Sequence, residues 1–229
     1  MVFRPFFSFT TSLHKMELTD LVNVLESALK GPLPGRLGQQ EMAPLPLEEA
    51  RFDRFRMEHA RKGAVLLLIC PSTTGVQIPF IKRARYAGVH SGQIALPGGK
   101  MEPDDQDLRI TAVRETEEEI GVDRRKIQLL GALSDLYIPP SNFYIRPFIG
   151  FTSEVPLFKP DAREVERLIC SDFDALIEEG NKKRKSFPIP SGGEIVAPYF
   201  EIDREVVWGA TAMILSEFLL LWKNRGNGD

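Results

Sequence analysis

Four glutamates crowd into five residues of the stretch RETEEEIGV, at Glu115 and Glu117 to Glu119. The spacing predicts a helix from about Leu108 to Ile120, with Gly121 as its left-handed cap. At about 100° per residue, Val113, Thr116 and Ile120 share one side, and Glu115, Glu118 and Glu119 fall roughly opposite. Glu115 and Glu119 are one turn apart, so their like charges destabilise the helix by a few tenths of a kcal/mol. The negative pole of the helix adds to that penalty. A divalent cation offsets these strains, because hard cations take carboxylate oxygens. The bland alternative is a solvated acidic face. Two neighbours weigh against it. Pro97-Gly98-Gly99-Lys100 lets backbone approach a ligand closely, and Arg114 can orient a glutamate through a bidentate pair.

Several elements must position these groups. ELTDLVNVLESALK over 17–30 has helical apolar spacing and stops at Gly31-Pro32. GAVLLLIC over 63–70 is a continuous apolar run expected to be a buried strand, and VQIPFIK over 76–82 is its expected partner across the turn STTG. Pro79 inside that partner argues for an edge or a bulge. Strands are expected over 126–134 and 143–151, flanking the loop YIPPSN. Residues 162–179 read as a strand or helix start followed by a helix, 186–200 as a hairpin around Ser-Gly-Gly, and 209–222 as an apolar helix. Strands and helices mix without strict alternation, so the class is α+β, a mixed sheet between helices. Residues 1–15 are expected to be a disordered or mis-assigned extension, and 16–229 a single domain with an N-terminal helical arm. The two terminal helices would either cover the sheet or bury a homodimer interface.

Composition narrows the function classes. A hydrophobic content of 43% and a charged content of 27% are ordinary for a globular chain. A net charge of −3 gives no reason to expect nucleic acid or anionic membranes as partners. The run MILSEFLLLW is too short to span a bilayer. Cys70 and Cys170 both end apolar runs and are expected in the core, with no disulfide or zinc framework. These features fit a cytoplasmic protein.

Arg114-Glu115-Thr116-Glu117-Glu118-Glu119-Ile120-Gly121-Val122 resembles the second half of the Nudix box, G-x5-E-x7-R-E-U-x-E-E-x-G-U, with Thr116 at the apolar position. The first half departs: Gly99 to Arg114 is 15 residues, one more than the pattern, and Asp104, Asp105 or Asp107 must replace the first glutamate. The longer box, Gly98-Gly99-Lys100-Met101-Glu102-Pro103-Asp104-Asp105-Gln106-Asp107, resembles the coenzyme A diphosphatase branch of that family. So does the upstream stretch, in which Arg83, His90, Gly92, Gln93 and Pro97-Gly98-Gly99 match that branch. Ala84, Ala87, Gly88 and Leu96 do not.

The resemblance implies an α/β/α sandwich with the box as loop–helix–loop, Mg²⁺ or Mn²⁺, and hydrolysis of a small-molecule nucleotide diphosphate. Coenzyme A or its acyl derivatives would yield 3′,5′-ADP and 4′-phosphopantetheine. Other diphosphates (ADP-ribose, a dinucleotide, a nucleoside triphosphate) and a non-catalytic binding module stay open. By position, Glu115 and Glu119 are the expected metal ligands, with Glu118 and the Gly99 carbonyl in addition. Arg114 orients them. Water's proton goes to Glu118, or to Glu164 or Glu166 in DAREVE. Arg83, His90, Gln93, Lys100, Ser141 and Asn142 are the candidate substrate contacts. Lys182 to Lys185 are either a solvated loop or a contact to the 3′-phosphate.

Overall fold

The computed structural model describes residues 16–86, 90–178, 182–188 and 192–226. The expectations for residues 1–15, and for Ala87 and Gly88, lie outside the described residues. The helices are α1 (Leu18–Ala28), α2 (Arg36–Gln40), α3 (Arg54–Glu58), α4 (Leu108–Ile120), α5 (Phe173–Ile177) and α6 (Gly209–Lys223). The strands of the first half are β1 (Arg61–Ser72), β2 (Gly75–Arg83), β3 (Ile94–Ala95) and β4 (Gly98–Lys100). They are followed by β5 (Gln128–Ala132), β6 (Leu136–Ile138), β7 (Phe143–Phe151) and β8 (Val165–Asp172), then β9 (Lys182–Pro188), β10 (Glu194–Ile202) and β11 (Glu205–Trp208).

Among the described residues, β1 to β8 form one mixed sheet. Its centre is β1, parallel to β7 from Arg61↔Phe143 to Ile69↔Phe151 and antiparallel to β4 at Ala64↔Gly99. Side chains alternate along a strand, so β1 feeds two cores. Ala64, Leu66 and Leu68 pack with Ala112 and Ile120 of α4 on one face. Leu67 and Ile69 pack with Leu21 and Leu25 of α1 and with Met213, Ile214 and Phe218 of α6 on the other. The helices therefore cover both faces, as the expected sandwich requires. Among the described residues no helix is long and apolar enough to cross a membrane.

Three expectations need correction. Pro79 is not at an edge: β2 has β8 along one flank, with Pro79 opposite Cys170. On the other flank Pro79 falls in the gap between the pairs Cys70↔Gln77 and Ile81↔Ala95, where no donor is required. The β2–β8 register shift lies at Lys82/Arg83 instead. Cys70 is buried but Cys170 is exposed. As expected for the hairpin over 186–200, β9 and β10 pair antiparallel, and with β11 they form a separate three-stranded sheet. Lys182 to Lys185 accordingly lie in an exposed strand and not in a loop. Lys182 pairs with Glu41, Lys183 with Glu201, and Lys185 lies over Phe187 and Tyr199.

Candidate active site at the acidic helix

The box is assembled where β4 is pressed between β1 and α4. An aspartate cap opens the helix. Asp107 accepts from the backbone N–H groups of Arg109 at 2.8 Å and Ile110 at 3.2 Å. Gly121 ends the helix with φ of 73°, in the left-handed region that favours glycine. Gly98 has φ of 152° and no room for a side chain, since a Cβ would come within 2.3 Å of the Ala64 carbonyl oxygen. Glycine is thus demanded here both by conformation and by the approach of β1.

Glu119 is 1% exposed, so it lies on the buried side of α4 and not opposite the apolar residues. Its Oε2 accepts from the Gly98 N–H at 2.8 Å, and its Oε1 stands 3.6 Å from the Arg83 guanidinium. Arg83 also donates to the Gly98 carbonyl at 3.0 Å. Burial pushes the Glu119 carboxyl up to about 7, against the pull of Arg83 and the Gly98 N–H. Thr116, at the position the pattern gives to an apolar residue, is fully buried. Its hydroxyl donates to the Ala112 carbonyl at 2.7 Å, the back-bond by which a helical threonine satisfies itself.

Glu115 lies against Gly99. A Cβ at Gly99 would sit 2.5 Å from the Glu115 carboxylate, so the glycine makes the cradle that holds this side chain. Burial raises the Glu115 pKa, opposed by Arg114. Arg114 is the hub. Its Nη1 donates to Glu115 Oε1 at 3.0 Å and to Glu118 Oε2 at 2.8 Å. Its Nη2 reaches the Lys100 carbonyl at 3.1 Å. Nε and Nη2 grip Asp105 at 3.0 and 2.9 Å. Asp105, among the three aspartates considered, therefore takes the place of the first glutamate. Gly99-x5-Asp105 preserves the spacing of the first half of the box, and the additional residue falls between Asp105 and Arg114.

The structure thus brings Arg83, Gly98, Gly99, Arg114, Glu115, Glu118 and Glu119 together. Gln93 joins them, its carbonyl accepting from the Arg83 N–H at 3.0 Å, and its side chain meets His90 Nδ1 at 3.1 Å. Lys100 offers its carbonyl inward and is itself exposed. Ser141 and Asn142 stand apart, beyond Arg61↔Phe143. That pair is three registers from Ala64↔Arg146, or about 10 Å along the strand. Asn142 accepts from the Tyr137 hydroxyl at 3.0 Å, and the Ser141 hydroxyl is buried without a partner among the described residues. Glu166 is engaged with Lys82 at 3.3 Å and Arg85 at 3.7 Å. Glu164 lies close enough for its charge to act on both Glu115 and Glu119. Of the two DAREVE glutamates named as candidate proton acceptors, Glu164 is thus the one near the site glutamates.

Among the described residues no three His, Cys, Asp or Glu side chains already stand as a cage, because Arg83 and Arg114 occupy the glutamates. The donor set nevertheless suits a hard divalent cation. It offers carboxylate oxygens, two of them raised in pKa by burial, beside a glycine cradle.

The model of the NUDIX domain matches residues 60–187, more than half of the chain. The chain belongs to the Nudix family. Among its relatives, "Nudix hydrolase 22, chloroplastic" of Arabidopsis thaliana is 31% identical over 184 residues, covering 77% of this chain and 57% of the relative. The chain therefore spans less than two thirds of that relative's length. "Uncharacterized Nudix hydrolase NudL" of Yersinia pestis (strain Pestoides F) is 33% identical, covering 68% of this chain and 76% of the relative. A crystal structure of a MutT/nudix family protein from Enterococcus faecalis overlays with a TM-score of 0.49 at 15% identity, covering 91% of this Nudix chain and 75% of that one.

Proposed function

We propose that this Nudix chain is a metal-dependent hydrolase of nucleotide diphosphate derivatives, with coenzyme A or its acyl derivatives as substrate and 3′,5′-ADP and (acyl-)4′-phosphopantetheine as products. The observation that carries this reading is the union of the upstream motif with the box: Arg83 is tied at once to Glu119 and to the Gly98 carbonyl. The stretch that resembles the coenzyme A branch is thereby built into the acidic site.

In this reading Glu115 and Glu119 hold Mg²⁺ or Mn²⁺, with Glu118 and the Gly99 carbonyl as further donors. When bound, the cation neutralises and orients the diphosphate and acidifies a water. Phosphoryl transfer needs mainly positioning and charge stabilisation, which the arginines and the rigid β1–β4 pairing supply. Water attacks phosphorus in line, and its proton passes to a carboxylate oxygen. Glu118 and Glu164 are the two acceptors to compare. Glu118 is already committed to Arg114, which favours Glu164. Arg83, His90, Gln93 and Lys100 contact the substrate or order the loop that does, and Ser141 and Asn142 would meet only its far end.

A second reading, hydrolysis of ADP-ribose, a dinucleotide or a nucleoside triphosphate, is favoured by the departure at Ala84 and by the exposed strand that carries Lys182 to Lys185. A non-catalytic module would be expected to lose a box carboxylate, and none is lost. The experiment is a comparison of wild type with Glu119→Gln for Mg²⁺- or Mn²⁺-dependent diphosphate hydrolysis. Loss of turnover in a folded variant supports the site, and full activity overturns it.

A further inference from the structure

A cavity of about 1150 Å³ opens at the start of α4, with the box residues Met101, Gln106 and Asp107 in its wall. It shares a face of the sheet with α4. Lys62 is two residues from Ala64 on β1, and Arg146 pairs with Ala64 across the parallel register. Both side chains therefore project toward the α4 side. The Lys62 carbonyl accepts from the Met101 N–H at 2.9 Å, and Met101 directly follows the box residue Lys100. The rim of the cavity thus continues the strand that carries Gly98 and Gly99. Leu108, at the start of α4, lines the cavity. Glu115 lies two turns further along the same helix, an axial distance of roughly 10 Å.

Two features show that this space is built. First, its far wall is held by a buried carboxylate. Glu217 of α6 is fully buried and accepts from the Gly35 and Ser134 N–H groups at 3.1 Å each and from Gln39 Nε2 at 2.9 Å. Those three residues all line the cavity. A buried side chain whose oxygens accept from both loops ties them to one helix and fixes the shape of what they enclose. Second, the charges around the cavity are largely neutralised in place. Arg146 forks onto Asp135 at 2.7 and 2.9 Å, Arg109 onto Asp107, and Arg36 onto Glu49. Between them lie Leu33, Phe52, Met57 and Phe148. Lys62, at the rim nearest the box, has no ion-pair partner among the described residues.

We infer that this cavity receives the uncharged, flexible, amide-bearing arm attached to the diphosphate, with the Lys62 ammonium at its mouth contacting the arm's own phosphate. Paired charges and apolar walls suit an arm with amides and a sulfur terminus and no charge, and an unpaired ammonium suits the one anionic group at its root. The cavity is larger than the range of about 300 to 1000 Å³ usual for small-molecule pockets, which leaves room for an acyl extension. The inference rests on the proposed coenzyme A reading and deepens it.

The test is calorimetry on the full chain without metal, using 4′-phosphopantetheine and unphosphorylated pantetheine as probes. Phosphopantetheine is expected to bind at least about tenfold more tightly than pantetheine, a difference of about 1.4 kcal/mol. Lys62→Ala should bring the two to the same affinity, and Met57→Trp, which fills the cavity, should weaken both by about tenfold or more. No binding to the wild type, or unchanged binding in both variants, overturns the inference. A circular dichroism spectrum matching wild type shows that each variant is folded. Variant-sensitive binding without hydrolysis of coenzyme A would sink the substrate reading while leaving the cavity assignment standing. Hydrolysis of coenzyme A with binding indifferent to both variants would do the reverse.

Discussion

Arg114 and Asp105 form a buried two-pronged pair, Nε to Oδ1 at 3.0 Å and Nη2 to Oδ2 at 2.9 Å. The pair leaves Nη1 of the same guanidinium to hold Glu115 and Glu118, so a loop aspartate controls where two site glutamates point. The Thr111 hydroxyl and the Glu102 N–H, each 2.9 Å from Asp105 Oδ2, complete its shell.

Asp105→Asn should therefore destabilise the fold by about 3 to 5 kcal/mol at neutral pH, the usual cost of breaking one partner of a buried pair. Arg114 holds the Asp105 carboxyl far below the ordinary aspartate range. A depressed folded-state pKa gives stability that is present above the unfolded value and lost as pH falls below it. The difference between wild type and variant should thus hold from pH 7 down to about pH 4 and shrink below that. Urea melts across this range check it. A difference under about 1 kcal/mol at pH 7 would remove Asp105 from its place as the anchor of Arg114.

The two glycines of the box should fail in different ways. At Gly99 the atoms nearest an added methyl belong to the Glu115 carboxylate, at 2.5 Å, the far end of a side chain and not backbone. Gly99→Ala should displace that carboxylate and cut kcat by about 100-fold or more, with a stability change of about 1 kcal/mol or less. At Gly98 the methyl meets β1 backbone at 2.3 and 2.5 Å and φ is unfavourable for any other residue. Gly98→Ala should cost about 2 to 4 kcal/mol in a denaturant melt. The reverse ordering of the two variants in stability would contradict the packing described.

Glu119 predicts a pH signature in the metal-free protein. Its folded pKa is raised from 4.5 to about 7 by burial. A raised value means that its contribution to stability is full below the unfolded pKa and is lost as pH rises through the folded one. Glu119→Gln has no such loss, so without metal the variant should gain on wild type by about 1 to 3 kcal/mol between pH 5 and pH 8. Added Mg²⁺ or Mn²⁺ should stabilise wild type at pH 8 by mass action and leave the variant nearly unmoved. Equal metal stabilisation of both proteins in a thermal melt would argue against Glu119 as a ligand.

The proton acceptor can be found by paired substitutions. Glu164→Gln should lower kcat by about 100-fold with little change in KM, whereas Glu118→Gln should cost only about tenfold. The opposite pattern would transfer the role to Glu118.

Much of this site was legible in the sequence because the box compresses it into one loop and one helix. Arg114, Glu115 and Glu119 carry their relative placement in helical spacing, and Gly121 marks the end of the helix by its residue type. The burial of Glu119 was not legible, because the helical wheel assigns faces from side-chain polarity and here a carboxylate turns inward to reach the Gly98 N–H. The choice of Asp105 over Asp104 and Asp107 required knowing where Arg114 points. The central strands announced themselves as apolar runs, whereas β6 and β11 are three and four residues long and form only through pairing with β7 and β10. Pro79 misled because its conflict with pairing depends on which flank lacks a partner at that position, a tertiary fact. The cavity and its latch at Glu217 join residues 33–39, 133–135 and 217, far too distant in the chain for any local pattern to show.

Product analysis decides the substrate assignment. Purified protein is given coenzyme A and, separately, ADP-ribose, each with Mg²⁺ or Mn²⁺. The expected outcome is metal-dependent release of 3′,5′-ADP and 4′-phosphopantetheine. The kcat/KM for coenzyme A should stand at least about tenfold above that for ADP-ribose, a margin of about 1.4 kcal/mol in transition-state stabilisation. Preference for ADP-ribose, or no turnover of coenzyme A with either metal, would contradict the assignment.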